Sequence, residues 1–300
     1  MRAITGLASG QNRATIDPRG QDLKRILLVR ANFRIGNAIL TLPAIAAFRK
    51  NYPAAQIDYV GSRISRLLFV NQPLDRHYET PRRFPQVLWQ YFILLRHLRA
   101  NQYDLALDIS CSQSGLASFI IGLSGARIRA GCAGNWDGLF NFRVDRLREA
   151  NKYRKLTELL TVLNLQSVDA VGELNFSTAE LSAGGDALAR AVGKVSRPLV
   201  GVFLGGRKLR GKRWPLENFV EVIAGLTQKG FCVVTFLGPE EADIAEEIKV
   251  ALGPGASLVA VGDESTGRGG QLEVTGEEVG VEVRLDDPLD AHARRLGVRD

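Results

Sequence analysis

The 300-residue chain is poor in the residues that build covalent or metal frameworks. It has three cysteines and three histidines. Cys111, Cys132 and Cys232 are scattered, odd in number and without metal spacing, so a disulfide scaffold is excluded and reduced structural thiols are expected. His77 and His97 fall in no pattern for metal or nucleophilic catalysis, and no role is assigned to them. No Ser/His/Asp arrangement stands out. No apolar run approaches the roughly 20 residues that span a bilayer. The opening MRAITGLASGQNRATIDPRGQ lacks an apolar signal core, and residues 1–23 are expected to form a loose extension of a cytoplasmic protein. Zinc-finger spacing and ribonucleoprotein aromatic motifs are missing too, so a nucleic-acid partner would rest on charge alone.

What is present fits an ordinary globular chain long enough for two domains. It is 45% hydrophobic and 24% charged. A net charge of +7 admits phosphorylated ligands, anionic lipid or nucleic acid, and does not choose among them.

Short apolar runs alternate with amphipathic stretches, the pattern of a parallel sheet covered by helices. RILLVRA (25–31) predicts a buried strand, QIDYVG (56–61) the next and LALDIS (105–110) a third. AILTLPAIAAFRKNYP predicts a helix with Ile39, Leu42, Ile45, Ala46 and Phe48 at near-helical spacing, ending at Tyr52-Pro53. ISRLLFV predicts a short helix, VLWQYFILLRHLRANQYD a long one and KYRKLTELLTVLNL another. A polar stretch runs from about Ser167 to Gly185, and the domain boundary is placed between Ser167 and Ser196. A second series follows: RPLVGVFLGG as a strand, WPLENFVEVIAGLTQKG as a helix closed by Gly230, FCVVTFLG as a strand, and PEEADIAEEIKVALG as a helix with an acidic first turn. From about Gly262 onwards charge and glycine dominate, and no strand–helix pair is legible.

Four places carry candidate chemistry. The turn after the first strand, with Gly36 and Asn37, would expose backbone N–H groups to a phosphate or a reacting hydroxyl; its other reading is an ordinary strand-to-helix turn, since G-x-G-x-x-G is absent. In Gly205-Gly206-Arg207-Lys208-Leu209-Arg210-Gly211-Lys212-Arg213, five cations precede Trp214-Pro215 and a helix. Such a loop suits neutralisation of a diphosphate leaving group, or is a solvated basic loop. Residues 84–99, with Trp89, Tyr91, Phe92, Arg96, His97 and Arg99, read either as a core helix with a basic edge or as a helix seated on an anionic membrane. Asp104 and Asp108 flank a strand, and Asp108 could bind acceptor hydroxyls or cap a turn.

ILLVRANFRIGNAILTLPAIAAFRKNYPAAQIDYVG resembles the opening of family 9 glycosyltransferases, the lipopolysaccharide heptosyltransferases. YDLALDIS with SGARIRAGC, and LVGVFLGG with GKRWPLENFVEVIAGLTQKGFCVVTFLGPEEADIAEEI, are similar to its later landmarks. The likeness covers roughly residues 24–262. It implies an α/β, GT-B-like fold of two Rossmann-like domains facing a cleft, the second incomplete. The N-terminal acceptor domain would span 24–175, the partial nucleotide-sugar domain 196–262, and an atypical, poorly ordered tail 263–300. The resemblance further implies inverting, metal-independent transfer from a nucleotide-diphosphate sugar, ADP-heptose in the best-known members, with no cofactor. Lys212 would contact the donor diphosphate and Glu241 the nucleoside, with Gly205, Gly206, Arg207 and Lys208 beside them. Gly36, Asn37 and Asp108 would serve the acceptor, a lipid-linked envelope glycan at the inner membrane.

Two departures stand out. Where the family has Gly-Asp, this chain has Gly36-Asn37, and asparagine cannot take a proton from the acceptor. The family's late Asp-Ser/Thr-Gly-Pro-x-His signature is missing; Asp287-Pro-Leu-Asp-Ala-His292 keeps the spacing without the glycine. Both favour an alternative, an inactive relative that keeps a glycan-binding module.

Overall fold

The computed structural model describes residues 15–32, 34–81, 87–145, 147–149, 151–166, 172–193, 198–204, 214–237, 245–253, 257–261, 271–276 and 279–284. Strand β1 (Arg25–Val29) is an uninterrupted apolar run because both of its faces are covered. Ile26 and Leu28 enter one core, and Leu27 and Val29 enter another on the opposite side of the sheet. The period-two alternation of a strand divides the run between the two. Asp104 fixes where β1 begins: its Oδ2 accepts hydrogen bonds from the Lys24 and Arg25 backbone N–H groups at 2.9 and 3.0 Å.

Around β1 lie β2 (Gln56–Gly61), β3 (Arg76–Glu79), β4 (Leu105–Asp108), β5 (Ile128–Cys132) and β6 (Phe142–Val144). They form a six-stranded sheet in the order β3-β2-β1-β4-β5-β6, parallel at every pairing. On one face pack α1 (Ile35–Ile39), α2 (Leu42–Asn51) and α6 (Lys152–Val162), through residues such as Ala38, Ile45, Phe48 and Leu159. On the other pack α4 (Val87–Ala100) and α5 (Gly115–Leu123), through Leu94, Leu98, Ile120 and Ile121. The short α3 (Arg63–Leu68) follows β2 and is capped by Ser62, whose Oγ accepts from the Ser65 N–H.

The helix expected across residues 38–53 is two helices, broken at Leu40-Thr41. Pro43 explains the break: it has no N–H to donate to the carbonyl of Ile39, four residues back, and sits instead in the first turn of α2. The register also differs from the expected one, since Ala46 is exposed while Ala44 and Ala47 are buried.

Gly61 ends β2 under a roof of side chains. A Cβ there would lie 2.4 Å from Ser65 Oγ and 2.4 Å from Tyr59 Cε1, both fully packed. Gly61→Ala is therefore expected to cost about 1–3 kcal/mol through overpacking. A denaturant titration checks this, and an unchanged midpoint would refute the packing described here.

The chain divides at Phe176/Ser177 into two units. The second contains α7 (Thr178–Val192), β7 (Leu199–Phe203), α8 (Leu216–Gln228), β8 (Cys232–Leu237), α9 (Ala245–Leu252), β9 (Ser257–Val261), β10 (Gln271–Gly276) and β11 (Val279–Arg284). Part of the polar stretch read between Ser167 and Gly185 is thus helical. Ser177 caps α7 reciprocally with Glu180, a capping box that offsets the two glycines inside the helix. Helix α8 ends as its glycine predicts: Gly230 has φ +85°, and the N–H groups of Gly230 and Phe231 donate to the carbonyls of Thr227 and Leu226. The sheet order is β11-β10-β9-β8-β7, parallel from β7 to β9 and antiparallel through β10 and β11. The terminal stretch thus contributes two antiparallel strands and no strand–helix pair among the described residues. No described helix is long and apolar enough to cross a membrane.

Candidate functional site

The order of the first sheet reverses between β1 and β4: β2 and β3 lie to one side, β5 and β6 to the other. In an open parallel sheet the crevice beyond the carboxyl ends of two such strands is where ligands bind. Here Val29 pairs with Asp108 at that edge. Three of the residues singled out in the sequence belong to it: Gly36 and Asn37 on α1, immediately after β1, and Asp108 at the end of β4.

The β1–α1 connection is locally determined. The Arg30 N–H continues the sheet by donating to the Val60 carbonyl at 2.9 Å, and the Asn32 side chain turns the chain by accepting from the Arg34 N–H at 2.9 Å. Gly36 is exposed, and a Cβ placed there meets nothing within 4 Å. Gly36 and Asn37 both lie in helix α1 and not in the expected turn, and the half-buried Asn37 donates its backbone N–H to the Arg34 carbonyl at 3.0 Å, so that N–H is not open to a ligand.

Asp108 is only 2% exposed. Its Oδ1 accepts from the Ser110 N–H at 2.9 Å, and its Oδ2 accepts from the Ser114 N–H at 3.4 Å, so the carboxylate shapes the loop that leads to α5. Burial pushes its pKa up to about 6; the Ser110 and Ser114 hydrogen bonds and the nearby Arg30 charge offset part of that rise. A carboxylate poised near 6 changes charge within the working range of an enzyme, unlike an exposed aspartate.

Sequence reasoning did not single out Arg30. It is 8% exposed, and its Nε has no hydrogen-bond partner among the described residues. Its charge acts on Asp108, Cys111 and Tyr59 alike. The signal was there: a cation directly after four apolar residues stands at the carboxyl edge of a buried strand. Burial first, and then the neighbouring Cys132, push the Cys111 thiol up to about 12, so it stays protonated and serves no nucleophilic purpose.

On the other unit, Gly205, Gly206, Arg207, Lys208, Lys212 and Glu241 lie outside the described residues. The flanks of the basic loop are described. Leu204 is buried at the end of β7, its N–H donating to the Phe236 carbonyl at 3.0 Å. Trp214 packs edge-on against Phe219 with ring centroids 5.0 Å apart. Pro215 is the N-cap of α8 and not, as expected, part of its first turn. In α9 the acidic first turn is made by Glu246 and Glu247. Among the described residues no group of three His, Cys, Asp or Glu could hold a metal ion.

Known proteins share this sequence pattern and this fold. Residues 91–260 match the model of glycosyltransferase family 9 (heptosyltransferase). The chain is 25% identical over 228 residues to lipopolysaccharide heptosyltransferase 3 of Escherichia coli, covering 73% of this chain and 65% of that relative. It therefore spans just under two thirds of that protein's length. Among solved structures, a family 9 glycosyl transferase from Veillonella parvula superposes with a TM-score of 0.64 at 19% identity, covering 79% of this chain and 68% of that one. The E. coli heptosyltransferase WaaC with ADP gives 0.58 at 17% identity, covering 78% and 74%. These two likenesses concern the fold.

Proposed function

From the premise that the chain belongs to glycosyltransferase family 9, we propose that it transfers a heptose-like sugar from a nucleotide-diphosphate donor to a lipid-linked envelope glycan. The observation that carries the acceptor side is the buried carboxylate of Asp108 at the reversal of strand order, next to strand β1, which leads into the helix α1 that holds Gly36 and Asn37. ADP-heptose is the donor of first choice, because a solved structure of the same fold is described as holding ADP.

The reaction would be a direct displacement with inversion and without a metal. The acceptor oxygen attacks the anomeric carbon, the bond to the diphosphate oxygen breaks, and the nucleotide diphosphate departs. Lys212, with Arg207 and Lys208, neutralises the charge that grows on it. Gly205 and Gly206 let the backbone approach the diphosphate, and Glu241 holds the nucleoside. Asn37 orients the acceptor hydroxyl by hydrogen bonding. It cannot take the proton, so that role passes to Asp108, the carboxylate on the same sheet edge. Work on such an acceptor places the protein in the cytoplasm, at the inner membrane.

The substitution Lys212→Ala tests the donor side. Donor affinity or turnover is expected to fall by about 10²-fold or more, as when one cation facing a developing charge is removed. Unchanged affinity together with unchanged turnover would sink the assignment. The second reading, an inactive glycan-binding relative, is favoured by Asn37 in place of the family's aspartate. It requires acceptor binding with no release of nucleotide diphosphate.

A further inference from the structure

Helix α4 has two apolar faces, and only one of them is used. Leu94 and Leu98 are buried in the core between α4, α5 and the sheet, with Tyr91 partly buried beside them. These residues recur at helical spacing and account for the packing of the helix. The opposite face carries Leu88 at 75% exposure, Trp89 at 66%, Phe92 at 55% and Ile93 at 38%. Positions 88, 89, 92 and 93 form one continuous stripe, since residues three and four apart are neighbours on a helix. The Trp89 and Phe92 rings stack at 5.3 Å with 22° between their planes, presenting a flat aromatic slab to solvent. A soluble surface does not ordinarily leave such large side chains clustered in the open.

The charges around the stripe are of one sign. Between Thr80 and Gln102 the sequence has four arginines, Arg82, Arg83, Arg96 and Arg99, and no aspartate or glutamate. Arg96 and His97 continue the same face one turn further on and are exposed. Arg99 is anchored at the end of the helix by donating from Nε to the Leu123 carbonyl at 2.8 Å. Glu79, the acid just before this segment, is paired with Arg66 at 2.7 Å.

We propose that the Leu88-Trp89-Phe92-Ile93 face of α4 docks the protein on an anionic phospholipid bilayer. The helix would lie flat, with the aromatic slab at the headgroup–acyl boundary and Arg96 among the phosphates. A helix of 14 residues is about 21 Å long and reaches only the interface. An acidic protein groove would also attract the arginines. The bilayer fits better because it offers, a few ångströms apart, an apolar phase for four large side chains and phosphates for the cations. The proposal rests on the reading of a lipid-linked acceptor and names the surface that would bring the enzyme to it.

The test uses the full chain and vesicles of phosphatidylglycerol with phosphatidylethanolamine, against vesicles of phosphatidylcholine alone. Flotation is expected to show at least about tenfold stronger binding to the anionic vesicles. Brominated acyl chains should quench tryptophan emission in the wild type and lose that effect in Trp89→Phe. The exposed triple variant L88S/W89S/F92S should lose about tenfold or more of the binding, while nucleotide-sugar binding measured by calorimetry stays unchanged. Equal binding by the triple variant, or quenching that survives Trp89→Phe, would overturn the assignment. So would a wild type that ignores anionic vesicles, or one that buries Trp89 in a concentration-dependent dimer. Failure here with donor binding intact would leave the transferase reading standing; loss of donor binding with docking intact would do the reverse.

Discussion

Asp108→Asn is expected to lower the transfer rate by about 10²–10⁴-fold and to abolish the acid limb of its pH profile. The magnitude is that of a lost general base. The limb follows from burial, which holds the Asp108 carboxyl at about 6, so that it carries a proton and cannot accept another below that pH. The wild-type rate should then fall about tenfold for each pH unit below about 6. Asparagine preserves much of the local frame: its carbonyl oxygen can still accept from the Ser110 N–H, and only the longer 3.4 Å contact from Ser114 is lost. That loss is worth about 1 kcal/mol, too little to unfold the loop. A purely structural Asp108 would lower the rate evenly at all pH values. A variant that keeps both the wild-type rate and its acid limb would remove Asp108 from the mechanism.

The second large effect concerns stability. His77 lies on β3, its ring 5.1 Å from that of Tyr59 and 6.5 Å from that of Phe69. Its Nε2 is 3.0 Å from Ser65 Oγ, and its Nδ1 has no hydrogen-bond partner among the described residues. Burial, helped by the Arg66 charge, depresses its pKa to about 4 from the usual 6.5. The folded state therefore resists a proton that the unfolded chain accepts, and stability is lost as pH falls from about 6.5 to about 4. The shift corresponds to about 3 kcal/mol. Asp108 works in the opposite sense. Its folded pKa is raised, so the folded state takes up a proton first and gains stability as pH falls from about 6 to the ordinary carboxylate value. Denaturant titrations from pH 4 to pH 7 should separate the two. Relative to wild type, His77→Leu should gain stability toward acid, and Asp108→Asn should lose it. Parallel curves for all three proteins would contradict both assignments.

How far the sequence could be read depended on how strongly each segment is buried. Strands β1, β2, β4 and β8 were legible because a short, largely apolar run bounded by polar or turn residues is what a strand inside a parallel sheet requires, and β7 was legible from its apolar run although it is an edge strand with Leu199 and Phe203 exposed. Strand β3, Arg76–Glu79, was not, since an edge strand paired only with β2 needs no apolar run. Strand β5 hides Arg129, whose guanidinium donates to the Leu139 and Ala126 carbonyls and so tolerates burial inside Ile128–Cys132. Helix α7 was obscured by Gly184-Gly185, although Ser177 and Glu180 stood at capping-box spacing. The period-two alternation of Val279–Arg284 was masked by its charge.

The site was legible to different depths. Gly36 and Asn37, after β1, and Asp108, the last residue of β4, could be named because those strands were themselves clear. Arg30 escaped because a charged residue after a strand is commonplace until its burial is known. The outer face of α4 could not be separated from a core face by composition, because Leu88, Trp89, Phe92 and Ile93 are as apolar as the residues that do pack inward.

Calorimetric titration of the full chain with ADP-heptose, set beside other nucleotide-sugars and with Lys212→Ala as the control, tests the central claim most directly. Saturable binding of one nucleotide-sugar, lost in the Lys212 variant, is the result expected of a family 9 glycosyltransferase with a working donor site. A folded protein that binds none of these donors would contradict it.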